Sequence, residues 1–269
     1  MSRVLKKRVV PKNAKNITDQ YFLCTRDVRK IKPFLDRLEA MRKDSTYYAL
    51  DLSRPALEEN MRQLVPSYRI GHRYEFVQCF ALWGTFDDAY SWAKKIVDKP
   101  RWFCSLGSQF GNDHFDDAVA FLSKWAQIMR PEDRMLIGMD GSEDKEEIWH
   151  SYHDSQGLFE EFIRNGYTHS NTVLGSSWYR DEDWDICGVM QDDPLMHRWV
   201  IRAKRDVIDA SLGLAFEPGD EIDCYEAFKY GPAVMHRQFA QAGLEVVATW
   251  KAPSALICKY HPVRTTRRW

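Results

Sequence analysis

From Val28 to Asp140 the chain alternates helix-period and strand-type segments, and this alternation restricts it to one broad class of fold. Val28, Ile31, Phe34, Leu35, Leu38 and Met41 recur near helical spacing. The β-branched and aromatic run Thr46–Ser53 follows, and Pro55 sits in the first turn of a second amphipathic helix, Arg54–Leu64. Strand signals over Tyr74–Leu82, Trp102–Leu106 and Met135–Met139 are separated by helical stretches at Asp87–Val97 and Asp116–Met129. Units of this length predict an α/β, doubly wound, mostly parallel sheet with helices on both faces.

The alternation stops after Asp140. Lys145–Leu174 reads as one or two helices, with breaks expected at Gly157 or Gly166, and Trp184–Val189 and Arg198–Ala203 read as strands with no helix between. Pro218-Gly219-Asp220 signals a turn before a strand at Ile222–Phe228. A last helix, Pro232–Ala242, stops at Gly243, and Leu244–Trp250 and Leu256–Tyr260 read as an antiparallel pair. The expected layout is a sheet domain over 19–143 and 228–262, an inserted α+β substrate or lid domain over 144–227, a basic disordered start at 1–18 and a basic tail at 263–269.

Composition narrows the function classes. The chain has 269 residues, 44% hydrophobic and 29% charged, as a globular protein does, and no apolar run approaches the roughly 20 residues that cross a bilayer. A formal charge of −1 gives no overall attraction to nucleic acid or anionic membrane, and the basic start, interrupted by Pro11, reads as a frayed terminus. Cys24, Cys79, Cys104, Cys187, Cys224 and Cys258 are scattered without a Cys-x-x-Cys pair, which fits a reducing cytoplasm and argues against a zinc site. His150-x-x-His153 lacks further ligands and reads as a solvated helix face, so no metal is expected. Gly107-x-x-x-Gly111 lacks the Lys-Ser/Thr tail of a phosphate loop. A small-molecule partner is expected, and no motif fixes an oligomeric state.

Asp51 lies near the carboxyl end of the strand-type run Tyr47–Leu52. An acid at the carboxyl end of the second strand of a nucleotide-binding fold accepts hydrogen bonds from ribose hydroxyls, and the same acid can instead cap the following helix. Three further segments join it: Leu82-Trp83-Gly84-Thr85-Phe86-Asp87-Asp88, Leu106-Gly107-Ser108-Gln109-Phe110-Gly111-Asn112 and Phe228-Lys229-Tyr230. Together with Tyr47–Ser53 they resemble the histidine-specific family of S-adenosylmethionine-dependent methyltransferases. That family includes histidine Nα-methyltransferases of ergothioneine synthesis and fungal 4-dimethylallyltryptophan N-methyltransferases, and the fungal wording is the nearer.

The resemblance implies a class I methyltransferase fold that binds S-adenosylmethionine. It assigns Asp51 to the ribose, Thr85 and Phe86 to the surroundings of adenine, and Leu106, Gly107 and Ser108 to the strand end facing sulfonium and acceptor. Lys30 matches the lysine that closes the first cofactor motif. Asn112 and Tyr152 match the groups that hold the acceptor's amino-acid moiety, with Tyr152 the first candidate to receive the amine proton, and Tyr225, Glu226 and Ala227 match the acceptor side-chain positions. Taken alone, Phe86 is also an ordinary core residue, Asn112 a turn residue after Gly111, and Tyr152 a part-buried helix residue.

Three departures stand out. The family's Leu-Gly-Ser-Gly motif reads Leu23-Cys24-Thr25-Arg26 here, which is expected to add about 1 kcal/mol of strain wherever the turn needs positive φ, and to fill space beside the methionine end of the cofactor. Only some twenty residues precede this turn, an opening that reads either as a misassigned start or exon or as an evolved feature. Ala227 stands where relatives carry a serine, which favours an indole-type acceptor over imidazole. The expected activity is N-methylation of an amino-acid-derived amine in secondary metabolism, a tryptophan-derived alkaloid precursor before histidine; the alternative is a weak or inactive relative from an incomplete gene that retains a binding role.

Overall fold

β1 (Arg3–Leu5) and β2 (Gln20–Thr25) begin the chain, followed by α1 (Val28–Ala40), β3 (Ser45–Asp51), α2 (Arg54–Leu64), β4 (Val77–Trp83), α3 (Phe86–Ala93), β5 (Arg101–Ser105), α4 (Phe115–Ile128) and β6 (Arg134–Asp140). The computed structural model describes residues 3–5, 20–25, 28–64, 74–96, 99–251 and 257–264. Next come α5 (Lys145–Tyr152), α6 (Leu158–Leu174), β7 (Trp184–Asp192), β8 (Leu195–Ala203), β9 (Val207–Asp209), β10 (Leu214–Phe216) and β11 (Glu221–Phe228). α7 (Pro232–Gln241), β12 (Leu244–Lys251) and β13 (Ile257–Arg264) complete the chain.

The main sheet runs β1-β4-β3-β2-β5-β6-β13-β12. β2 to β6 pair in parallel, whereas β13 lies antiparallel to both β6 and β12. This is the doubly wound class I methyltransferase order, with β1 added antiparallel at the β4 edge. The start expected to be disordered over 1–18 therefore contains a short strand, while residues 6–19 lie outside the described residues.

Alternation along β3 shows why both faces are covered. Tyr47 and Ala49 pack with Ile31 and Leu35 of α1 and with Leu57 and Leu64 of α2. Tyr48, on the opposite face, stacks on Phe80 at 5.4 Å and meets the Trp92 edge at 4.5 Å. A central parallel strand buried on both faces reads as a nearly continuous apolar run, which is what made β3 visible in the sequence. Cys79 lies in this interior: burial, with Glu39 adding to it, pushes its thiol up to about 12, so it stays protonated.

Two compact units divide the chain, Met1–Gly111 with Phe115–Asp140 and Val234–Trp269, and Asn112–His114 with Gly141–Ala233. The division falls at Asp140/Gly141 and Ala233/Val234 rather than at 143/144 and 227/228. It draws in Asn112–His114 because the Phe228 N–H donates to Asn112 Oδ1 and Tyr230 Oη donates to the Asp113 carbonyl. The second unit holds the antiparallel sheet β11-β8-β7 and a β9–β10 hairpin too short to stand out in the sequence. Gly157, at φ 70°, separates α5 from α6. Gly166 lies within α6 and breaks nothing; it faces open space, where a glycine only weakens a helix.

Arg101, buried at the start of β5, anchors the first unit. It donates to Asp133 through Nε at 3.1 Å and Nη2 at 2.5 Å, and to the Ala93 carbonyl at 2.6 Å. Burial opposes the Asp133 charge, but hydrogen bonds from Arg101 and Arg130 outweigh it and hold the carboxyl below its ordinary range. Asp133→Asn leaves the guanidinium buried without its counter-charge and is expected to cost about 3–5 kcal/mol, read from the urea midpoint. In the parent this contribution is complete above the ordinary carboxylate range and is lost as pH falls through the lower folded value; an acid-unfolding curve unchanged by the substitution would contradict it.

Candidate active site

In the first unit the strand order reverses around β2: β3 and β4 lie on one side, β5 and β6 on the other. Crossovers leaving in opposite directions open a crevice outside the carboxyl ends of such strands. Asp51 is the last residue of β3. Its Oδ1 accepts the Ser53 N–H at 2.8 Å, and Ser53 Oγ in turn accepts the Ala56 N–H at 3.3 Å. The side chain capping α2 is therefore that of Ser53. Asp51 Oδ2 is buried and has no hydrogen-bond partner among the described residues. A buried carboxylate oxygen without a donor is costly, so this atom suits a hydroxyl donor such as a ribose.

Leu106, Gly107 and Ser108 follow β5. Leu106 is buried, whereas among the described residues a Cβ at Gly107 would meet only Lys30 Nζ, at 3.9 Å. The α1 ammonium thus reaches the strand end, and Gly107 keeps that approach open. Ser108 adopts φ +53°, an uncommon state for a residue with a Cβ, and is held there by bonds from its N–H to the Gly138 carbonyl and from the Asp140 N–H to its Oγ. Its hydroxyl therefore fixes the β5 and β6 ends.

Thr85 and Phe86 open α3. The Thr85 side chain is committed to a capping box: it accepts the Asp88 N–H at 3.1 Å while Asp88 Oδ2 accepts the Thr85 N–H at 3.0 Å. Phe86 meets Phe110 and Phe121 edge-on at 5.5 and 5.7 Å. The strain expected at the replaced glycines does not arise at Cys24, which is an extended residue of β2 paired with Ala49 and Cys104. Arg26 and Asp27 lie outside the described residues.

The second unit gathers the acceptor-side candidates. Asn112 Oδ1 accepts the Phe228 N–H at 2.8 Å, and because a backbone N–H can only donate, this bond fixes the amide orientation and leaves the NH2 for an acceptor. The buried Lys229 donates through Nζ to Tyr152 Oη at 2.8 Å. Tyr225 and Ala227 lie opposite Trp199 and His197 in the β11–β8 ladder and share their face. Glu226 lies opposite Arg198, so alternation puts it on the other face, 3.9 Å from His114. Tyr225 packs against Phe159 and Tyr152 at 5.4 and 6.0 Å, and burial raises its pKa.

The family model for histidine-specific, SAM-dependent methyltransferases matches residues 23–262. The chain belongs to this family. With the family comes its cofactor, S-adenosylmethionine, and the orphaned Asp51 oxygen, the open approach at Gly107 and the nearby Lys30 fit such a group. The ergothioneine biosynthesis protein 1 of Neurospora crassa is 34% identical over 228 residues, covering 83% of this chain and 25% of that protein. A 4-dimethylallyltryptophan N-methyltransferase of Aspergillus fumigatus is 28% identical over 251 residues, covering 86% of this chain and 70% of that protein. An Aspergillus flavus N-methyltransferase is 28% identical, with 83% and 62% covered. The chain thus spans a quarter of the Neurospora relative and just over three-fifths of the Aspergillus flavus one. Among the described residues no helix is long and apolar enough to cross a membrane.

One feature of this methyltransferase-family chain was invisible in its sequence. His153 caps the end of α5 and points its Nε2 at that of His197, 3.0 Å away, instead of sharing a solvated face with His150. Burial lowers both imidazoles, His197 to about 4 with help from His153 and Lys229, so both are neutral at pH 7. The His-x-x-His spacing was visible; the second ring, 44 residues on, comes from β8.

Asp51→Asn keeps an Oδ1 acceptor for Ser53 but removes the charge. It is expected to weaken S-adenosylhomocysteine binding by about 10- to 100-fold, the loss of roughly 1.5–3 kcal/mol for a hydrogen bond to a charged group. Isothermal titration of both proteins reads this, and equal affinities would contradict the ribose role.

Proposed function

We propose that this chain is an S-adenosylmethionine-dependent N-methyltransferase acting on the amino group of an aromatic amino acid or its derivative, an indole-type acceptor before histidine. The observation that carries this reading is the Asn112 amide, locked by the Phe228 N–H so that its NH2 remains for a carboxylate. Tyr152, engaged by the buried Lys229 ammonium, supplies a second polar group with positive charge behind it. A pair of this kind holds the carboxylate and leaves the amine free to react.

When bound, S-adenosylmethionine supplies an electrophilic methyl on a sulfonium. The residues assigned to its nucleoside and sulfonium belong to the first unit: Asp51 for the ribose, Thr85 backbone and Phe86 beside the base, and Lys30 and Leu106–Ser108 toward the methionine end. Those assigned to the acceptor belong to the second: Asn112 and Tyr152 for the amino-acid group, Tyr225 and Ala227 for its side chain. The rest of the chain's task is alignment and removal of the amine proton, since only a neutral amine is nucleophilic.

The indole preference is supported by Ala227, which offers no hydroxyl to an imidazole, and by the aromatic surroundings of Tyr225, Phe159 and Trp199 on the same sheet face. Glu226 is left out of this assignment because it faces away.

The test is methyl transfer from labelled S-adenosylmethionine to histidine, tryptophan and 4-dimethylallyltryptophan. Transfer to an α-amino group, fastest with an indole, is expected; histidine preferred over both indoles would overturn the acceptor assignment, and no transfer by chain that binds the donor would overturn the activity. Asn112→Asp keeps the bond from Phe228 but turns the donor into a repelling carboxylate. It is expected to raise KM for the acceptor about 100-fold or more while S-adenosylhomocysteine affinity stays unchanged.

A further inference from the structure

His197 is fully buried on β8, and the mechanism so far gives it no role. Its Nε2 meets His153 Nε2 at 3.0 Å, and its Nδ1 is buried without a hydrogen-bond partner among the described residues. A neutral imidazole carries one donor and one acceptor nitrogen, so one buried ring nitrogen left alone is an unusual arrangement. His153 is only half-buried and stacks on the exposed Trp149 at 3.7 Å. The two rings therefore form a continuous line from a buried nitrogen to a part-exposed ring.

The backbone is shaped around this contact. Gly188 of β7 lies opposite Trp199 in the ladder, and a Cβ there would come within 2.3 Å of His153 Nε2 and 3.2 Å of His197 Nε2. Any side chain at 188 would drive the pair apart. On the other side of β8, Ala227 lies opposite His197, one residue before the Phe228 N–H that fixes Asn112. The Tyr152 ring lies flat against His197 at 4.5 Å. Of the two residues assigned to the acceptor's amino-acid group, Tyr152 thus lies against this imidazole, and Asn112 is held one residue along β11 from the one opposite it.

We infer that His197 and His153 form a proton exit for the acceptor's amino group, with His197 taking the proton and His153 positioned to carry it out. This inference rests on the acceptor assignment proposed above. The acceptor's ammonium gives one proton to His197 Nδ1. In the same movement His197 Nε2 gives its proton to His153 Nε2, and His153 releases its Nδ1 proton to solvent. The acceptor is left as a neutral amine with its lone pair free, and both rings end neutral with their tautomers exchanged. Because His197 holds positive charge poorly, the proton is passed through rather than stored. The charged or titratable groups around the pair are Lys229 and Tyr152 beside His197, and Glu160 of α6 and His150 of α5 beside His153.

His153→Gln in the full chain keeps a polar group near Nε2 but cannot relay a proton. With S-adenosylmethionine and tryptophan or 4-dimethylallyltryptophan, kcat is expected to fall about 10- to 100-fold, within the range for losing acid–base assistance, with acceptor KM unchanged. The variant's rate should climb nearly tenfold per pH unit between pH 7 and 9, tracking the free amine, while the parent profile stays flatter. His153→Ala should regain activity with added imidazole. A parent-like kcat and pH profile in His153→Gln would overturn the relay alone. A parent that binds donor but transfers no methyl to these acceptors would overturn the activity and the relay together. A readout independent of turnover is imidazole 15N NMR of the resting chain: His197 is expected to stay neutral down to about pH 4 with its Nε2 coupled to His153. Two rings titrating independently near their ordinary value would overturn the pairing.

Discussion

The reversal of strand order around β2 is the constraint on which the cofactor half depends. Parallel strands need right-handed crossovers, so β3 and β4 step away from β2 in one direction while β5 and β6 must cross back to its other side. The helices then fall on opposite faces, and a crevice opens outside the carboxyl ends of β2, β3 and β5. Asp51, Gly107 and Lys30 acquire meaning from that position. Without it, Asp51 is an ordinary strand-terminal acid; with it, a buried oxygen lacking a donor among the described residues stands at the crevice, where the proposed ribose contact would fall.

The second unit solves a different problem with the period of two. Tyr225 and Ala227 on β11, His197 and Trp199 on β8 and Gly188 on β7 share one face because each lies opposite its neighbour in the ladder. Each large ring in the central strand has one small neighbour across the ladder, Ala227 beside His197 and Gly188 beside Trp199, and the imidazole pair meets over Gly188. The same alternation sends Glu226 to the far side, beside Arg198. The resemblance had grouped Glu226 with Tyr225 and Ala227, and one residue of offset puts it on the opposite face from them.

The main sheet was legible because its central strands are buried on both faces and its helices carry one apolar stripe each. Tyr47–Leu52, Trp102–Leu106 and Met135–Met139 all fall on observed strands. Short edge elements such as β1 and the β9–β10 hairpin were not, since three residues carry no period. Gly166 looked like a break, but a glycine on an exposed helix face lowers stability without ending the helix. The positive φ of Ser108 and the meeting of His153 with His197 depend on long-range packing, so no local pattern could announce them. Cys24, at the first lost glycine, sits in extended backbone, which any residue adopts without strain.

The central claim is that the carboxyl ends of β3 and β5 together hold the nucleoside and sulfonium of one cofactor molecule. Hydrogen–deuterium exchange of the full chain with and without S-adenosylhomocysteine tests it most directly. Simultaneous protection of the amides around Asp51–Ser53 and Leu106–Ser108 is the predicted result. Protection confined to other segments, or none at saturating ligand, would contradict it.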